Sequence, residues 1–404
     1  MRPYPWRPPG VRLQNVALRA FFILSGMGAC GLLLGTGCQS RTPSKPVAPE
    51  QKALEGWRIA FDEDCPPNLK SGFAGEYHVG EVLFVPAGNC FSLESAPPGV
   101  RGTFLAETGL AGWDRAQGRV ATLPETPGAW VCRSPSLGGL YHLTWSPESV
   151  GTAVQRSTLS ILVLDEAQTR AKEGRTRLEV SGKYLGSYAD PAASNVPQVR
   201  EHAARYQPPI YFAALTGGTL NLPLSDGLEL GQMVAFIDRR DASGRKVITD
   251  QRHTEVLPPN RALFSKLALL RERLIGQGVP VTRFWITSGF RTPDFNKSIG
   301  GAAFSRHCYG DAVDLCIDQN GDLHMDDLNG DGKLDRHDGI VIARACLELE
   351  AEGKVVPGGI GVYEWDGVDS VRSHVHIDCR GYPVRWGQAT HGRQKSGFDW
   401  WSHP

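Results

Sequence analysis

Two short segments constrain this chain more than any other feature, because each alternates chemically demanding side chains with apolar ones. In "AVDLCI" (312–317), Val313, Leu315 and Ile317 alternate with Ala312, Asp314 and Cys316. In "SHVHIDC" (373–379), Val375, Ile377 and Cys379 alternate with His374, His376 and Asp378. Strand side chains repeat every two residues, so each segment predicts a strand with an apolar face on a core and a polar face that must find partners. An aspartate on such a strand wants a cation or hydrogen-bond donors, because an unpaired buried charge is costly. Two histidines on one face can divide the labour, one binding metal and the other handling protons. His307 precedes Asp314 by seven residues, and Gly310 lets the backbone turn tightly between them. His307, Asp314 and a histidine of the second segment are candidates for the three ligands of a zinc site with an open fourth position. A surface or capping pair is the alternative reading of the same spacing.

The run after the first segment is acidic. "DLNGDGKLDRHD" places Asp327, Asn329, Asp331, Lys333, Asp335 and Asp338 at positions 1, 3, 5, 7, 9 and 12 of an EF-hand calcium loop, with Gly332 at the sharp turn. Position 7 ligates through its carbonyl, so Lys333 is compatible there. Position 12 is Asp where Glu is usual, which predicts modest Ca2+ affinity. "DQNGD" (318–322) is an earlier half-match, and "GIVIARACLELEAE" predicts the exiting helix. The alternative is a solvated acidic loop.

The chain has 404 residues and a formal net charge of zero. That length predicts two domains, and the charge balance gives no reason to expect nucleic acid. Arg2, Arg7, Arg12 and Arg19 precede the apolar run "AFFILSGMGACGLLLGTG", which ends at Cys38 and predicts an export signal over 1–38. Gly35, Thr36 and Gly37 before Cys38 resemble a bacterial lipoprotein signal, with Cys38 lipidated and anchoring the chain to a membrane of the cell envelope; an ordinary cleaved signal is the other reading. Residues 39–54 read as a flexible tether. From 55 to 165, "GEVLFVPAG", "GAWVCRSP", "GLYHLTW" and "STLSILVLD" predict short strands bounded by Gly and Pro, an all-β sandwich loosely resembling immunoglobulin-like modules. From 166 to 404, the amphipathic helix in "NRALFSKLALLRERLIGQG" and the strand in "VTRFWITSG" predict an α+β domain on an antiparallel sheet. Seven cysteines lie outside the export segment without CxxC spacing, so a structural role is expected, and an odd number leaves at least one unpaired within the chain.

"SGFRTPDFNKSIGGAAFSRHCYGDAVDL" followed by "HVHID" resembles the zinc D-alanyl-D-alanine carboxypeptidases and D,D-endopeptidases of bacterial cell-wall metabolism, which share a fold with lysostaphin-type peptidases and the hedgehog domain. The resemblance spans roughly Leu220 to Trp386. It implies Zn2+ held by His307, Asp314 and His376, and Arg291 contacting the substrate or steadying a developing oxyanion. It also implies a pocket shaped by Ser305 and Tyr309, a cleft lined by "LELGQMVAF", and peptidoglycan stem peptides as substrate. Several members carry Glu or Asp as general base where this chain has Ser373. The resemblance therefore assigns the base to His374, the first histidine of an H-x-H pair. A non-catalytic wall-binding or adhesion lipoprotein on the same scaffold is the alternative, and the oligomeric state is not legible.

Overall fold

The computed structural model describes residues 157–402, apart from 216, 226, 241–245, 323, 366–372 and 392–393, and before them the segments 58–61, 82–88, 90–94, 100–106, 120–122, 129–134 and 136–147. The expected signal segment with Cys38 and the tether 39–54 lie outside the described residues.

The four segments expected to form strands before residue 166 do so, at Leu83–Pro86, Ala129–Arg133, Gly139–Pro147 and Ser157–Glu166. A four-stranded sheet runs Arg58–Phe61, Cys90–Glu94, Ala129–Arg133, Val120–Thr122. A second sheet centres on Ser157–Glu166, which pairs with Gly139–Pro147, with Leu83–Pro86 and with Tyr211–Ala214. Its last residues Asp165 and Glu166 pair with Phe212 and Tyr211. This sheet therefore draws strands from both sides of the boundary expected at 165/166.

The candidate site sits on a larger sheet of eight strands: β1 (Ala235–Arg240), β2 (Lys246–Arg252), β3 (Trp285–Ser288), β4 (Ala312–Cys316), β5 (Gly359–Trp365), β6 (His374–Asp378), β7 (Val384–His391) and β8 (Gln394–Gly397). Their spatial order is β2-β1-β3-β4-β6-β5-β7-β8. All neighbours are antiparallel except β5 and β7. The register sets Asp314 opposite both Ser288 and His376, His376 opposite Gly361, and Gly361 beside Trp386. One transverse row thus crosses five strands, and because the side-chain period is two, a one-residue slip of β6 would turn His376 away from Asp314.

The opposite face is apolar. Val313, Leu315, Val375, Ile377, Ile360 and Val362 are buried in the main core with Leu263, Leu267, Leu270 and Leu274 of α1 (Arg261–Gly276) and Ile342, Ala345, Cys346 and Leu349 of α2 (Arg336–Ala351). Both sets recur at helical spacing, and burying each large side chain contributes about 1.5–3 kcal/mol. Asn260 caps α1 by accepting from the Leu263 amide, and Asp335 with Asp338 forms a capping box on α2. Gly339 of α2 packs closely on the sheet: a Cβ there would lie 3.0 Å from a Val362 methyl, so a larger residue would have to push that side chain aside.

Four of the cysteines, Cys308, Cys316, Cys346 and Cys379, are buried free thiols. Burial pushes Cys308 up to about 12 and Cys346 up to about 11, so they behave as apolar packing groups rather than nucleophiles.

Candidate metal centre

His307 comes from a 3-10 turn, Arg306–Tyr309, that ends at Gly310 with φ of 74°. A side chain at Gly310 would be strained in that conformation and would also strike Pro258. The turn delivers His307 onto the face of β4 and β6 that carries Asp314 and His376. Among the described residues, these three are the group of metal-capable side chains whose ligand atoms all lie within 4.8 Å of one another, and all three are buried.

The second atom of each side chain shows why the first ones converge. His307 Nδ1 lies 2.8 Å from the Gly289 carbonyl, which can only accept, so Nδ1 carries the hydrogen and the Nε2 lone pair faces Asp314 Oδ1 at 3.1 Å. Asp314 Oδ2 is held by the Arg291 guanidinium at 2.6 Å, which turns Oδ1 to the inner side, toward the two histidines. His376 Nε2 lies 3.1 Å from Asp378 Oδ2, and its Nδ1 lies 2.9 Å from Asp314 Oδ1. Two imidazole nitrogens therefore converge on one carboxylate oxygen in a buried place. Either a proton or a cation must relieve that convergence, and a two-histidine, one-carboxylate donor set suits zinc.

Electrostatics divide the two histidines. Burial drives His307 down to about 4 despite the upward pull of Asp314, so it is neutral and ready to ligate at physiological pH. Burial also works against a charged His376, but its hydrogen bonds to Asp314 and Asp378 outweigh that and raise it. Asp314, although buried, is held well below the usual carboxylate range by His307, His374 and Arg291.

His374 stands one pleat along β6, with Nε2 4.0 Å from Asp314 Oδ1, outside the ligand set yet beside it. Its ring stacks on Tyr363 of β5, centroids 4.5 Å apart at 20°. Tyr363 Oη accepts from Trp386 Nε1 at 2.9 Å, and the Trp386 ring lies 5.1 Å from that of His376. Trp386 lies where a Gly361 Cβ would be, 2.1 Å from the nearest indole carbon, so this glycine is needed for the close approach. Ser373, where the sequence resemblance places an acidic base, is buried and accepts from the Trp365 amide.

Other expected residues fall differently. Arg291 lies at the centre, but its guanidinium is engaged by Asp314 and by Ser288 Oγ at 2.8 Å. Ser305 begins the 3-10 turn and offers it no side-chain cap. Tyr309 is buried among Tyr188, Tyr206 and Arg306. The segment "LELGQMVAF" backs the site through Met233, whose carbonyl accepts from Phe290 and leaves no room for a side chain at Gly289.

In the acidic loop, Asp327 accepts from the amides of Gly330, Asp331 and Gly332, Asn329 from Asp331, and Asp331 from Lys333. Asp335 caps α2, and buried Asp338 accepts from Leu328, Asn329 and Asp335. These oxygens close the loop on its own backbone, and the loop residues do not join the convergent set.

Ser288, Gly289, Tyr363, Asp378 and Trp386 also line the site, and the sequence alone marks no role for them. Asp378 was visible as the third polar residue on the His374–His376 face. Tyr363 and Trp386 reach the site only through strand pairing, which leaves no local trace.

Residues 245–328 match the model of the family described as Peptidase M15. The match covers about a fifth of the chain and includes Arg291, His307 and Asp314 but not His374 or His376. No curated protein matches the chain. Among solved structures, PcoC, a methionine-rich copper resistance protein from Escherichia coli, is similar at 16% identity over 20% of this chain and 87% of that chain, with a TM-score of 0.16, too low to bear on fold or function.

Proposed function

We propose that this chain is an exported zinc metallopeptidase that hydrolyses peptide bonds of peptidoglycan stem peptides, as a D-Ala-D-Ala carboxypeptidase or D,D-endopeptidase, held to a bacterial membrane by a lipid on Cys38. The observation that carries the reading is the buried convergence of His307, Asp314 and His376 in a chain that matches Peptidase M15 over 245–328. Zinc bound there would polarise a scissile carbonyl as a Lewis acid and lower the pKa of a water molecule towards about 7.

The chain's own groups have separable tasks in this reading. His307 would offer Nε2, His376 Nδ1 and Asp314 Oδ1 to the ion, while Arg291 keeps Asp314 Oδ2 occupied. His374, close to the ligands but not among them, accepts the proton of the attacking water and returns it to the leaving amine. Its stack on Tyr363 holds the imidazole in place for both steps. Arg291 remains our assignment for steadying negative charge on the substrate, acting beside the Asp314 pair. Calcium at Asp327–Asp338 is a further proposal on sequence spacing.

The test is digestion of purified peptidoglycan by the zinc-loaded chain, with released peptides separated by chromatography. Release of D-alanine or of cleaved cross-links, lost in His374→Ala with zinc retained, supports the peptidase. Intact peptidoglycan that nonetheless sediments with the protein favours the wall-binding alternative.

A further inference from the structure

We infer that Asp378 is a positioning residue of the metal centre: by accepting the Nε2 hydrogen of His376 it fixes the tautomer whose Nδ1 lone pair faces the metal. The inference rests on His307, Asp314 and His376 being the ligands.

Asp378 is fully buried at the end of β6. Its Oδ1 accepts from the Gly359 amide at 2.7 Å, the Arg380 amide at 3.0 Å and Arg380 Nε at 3.0 Å. Its Oδ2 accepts from Arg380 at 2.9 and 2.5 Å and faces His376 Nε2 at 3.1 Å. The main chain is fixed as firmly, because the Asp378 carbonyl accepts from Lys266 Nζ at 2.8 Å, and that buried ammonium is also held by Glu350 and the Val356 carbonyl. The fold makes room for this carboxylate. A Cβ on Gly359 would lie 2.4 Å from Oδ2, and one on Gly358 would lie 1.8 Å from the Asp378 carbonyl. Trp386 covers the His376 ring, so the pair sits away from water, where a hydrogen bond is electrostatically stronger.

The two histidines turn different nitrogens inward, and each has an acceptor behind it for the other nitrogen's hydrogen: the Gly289 carbonyl for His307 and the Asp378 carboxylate for His376. Such outer partners fix tautomer and ring orientation, and losing one typically costs about 10- to 100-fold in metal affinity. Asp378→Asn is informative because the backbone amides of Gly359 and Arg380 hold the amide oxygen at the Oδ1 position, whereas the donors at Oδ2 belong to the Arg380 side chain, which can swing away. The amide NH2 then faces His376 Nε2, which must accept, and the ring hydrogen moves to Nδ1, where it opposes metal binding.

Two measurements on the full chain test this. Long-range nitrogen–proton NMR of the zinc-loaded wild type, with labelled histidine, should show His376 with hydrogen on Nε2 and none on Nδ1; the reverse tautomer with zinc bound overturns the inference without any variant having to fold. Competition with a chromophoric chelator should show zinc affinity lower by about 10- to 100-fold in Asp378→Asn, with the His376 hydrogen on Nδ1 in the metal-free variant. Unchanged affinity, or lost affinity with the hydrogen on Nε2 in that variant, overturns it too. A wild type that binds no zinc refutes the metal-site reading beneath, and the inference with it.

Discussion

The candidate metal centre on β4 and β6 and the acidic loop 327–338 both depend on carboxylates, and they use them in opposite ways. Asp314 gives one oxygen to a cation, Arg291, and turns the other toward two histidines from distant parts of the chain. Asp327 gives both oxygens to amides no more than five residues away. The first arrangement is held open by strand register and a buried apolar face; the second is closed by local backbone bonds. A site that keeps lone pairs pointed at one place needs a rigid frame to oppose their repulsion. A loop that can satisfy its own carboxylates needs none, and any ion must compete with those internal bonds.

Variants should separate the two regions. The largest effect is expected from Asp314→Ala, which removes the oxygen on which both histidine nitrogens converge: bound zinc by elemental analysis and peptidoglycan hydrolysis both fall to background, whereas Asp331→Ala in the loop retains zinc. Zinc at wild-type occupancy in Asp314→Ala would erase the distinction.

Next comes the frame behind the centre. Lys266 is buried between Glu350 and the carbonyls of Val356 and Asp378, and Glu350 also binds Arg385. Removing one partner of a buried ion pair costs about 3–5 kcal/mol. Lys266→Ala should show that loss in urea unfolding of the metal-free chain, and a loss under 1 kcal/mol would mean that the network does not brace β6.

The pH dependence of zinc binding gives a smaller, graded effect. His307 is neutral above about 4, so the proton that competes with metal at higher pH is on His376, whose folded value is raised. A raised value stabilises the metal-free protein at low pH, and that contribution is lost as pH rises through it. Zinc affinity should therefore increase about tenfold per pH unit up to the His376 value and level off above it. Calorimetry across pH checks this, and affinity independent of pH would remove His376 from the ligand set.

Calcium gives the smallest effect. If the loop binds it, calcium at a hundred times the dissociation constant should stabilise the fold by about 2.7 kcal/mol, and Asp331→Ala should abolish that gain. Thermal unfolding indifferent to calcium would leave the loop as a self-closed acidic insertion.

Much of the centre was readable because strands encode a face in every second residue. His374, His376 and Asp314 needed no tertiary information, and the helix in "NRALFSKLALLRERLIGQG" was legible from its leucines. What was not legible depends on pairing between segments. Tyr363 reaches His374 because β5 pairs with β6, and Trp386 reaches Gly361 because β7 runs parallel to β5. Arg291 was found by its motif, but its partner Asp314 Oδ2 is set by the register of β3 against β4. Lys266, on a helix face that reads as apolar, was invisible as a buried cation because its partners lie in α2 and at the end of β6.

If His307, Asp314 and His376 form one pre-arranged zinc site, X-ray absorption at the zinc edge of the full-length, zinc-loaded chain should show one zinc per chain whose protein ligands are two imidazole nitrogens and one carboxylate oxygen, with an imidazole lost in His307→Ala. A zinc shell containing sulfur, or one unchanged in His307→Ala, would contradict it.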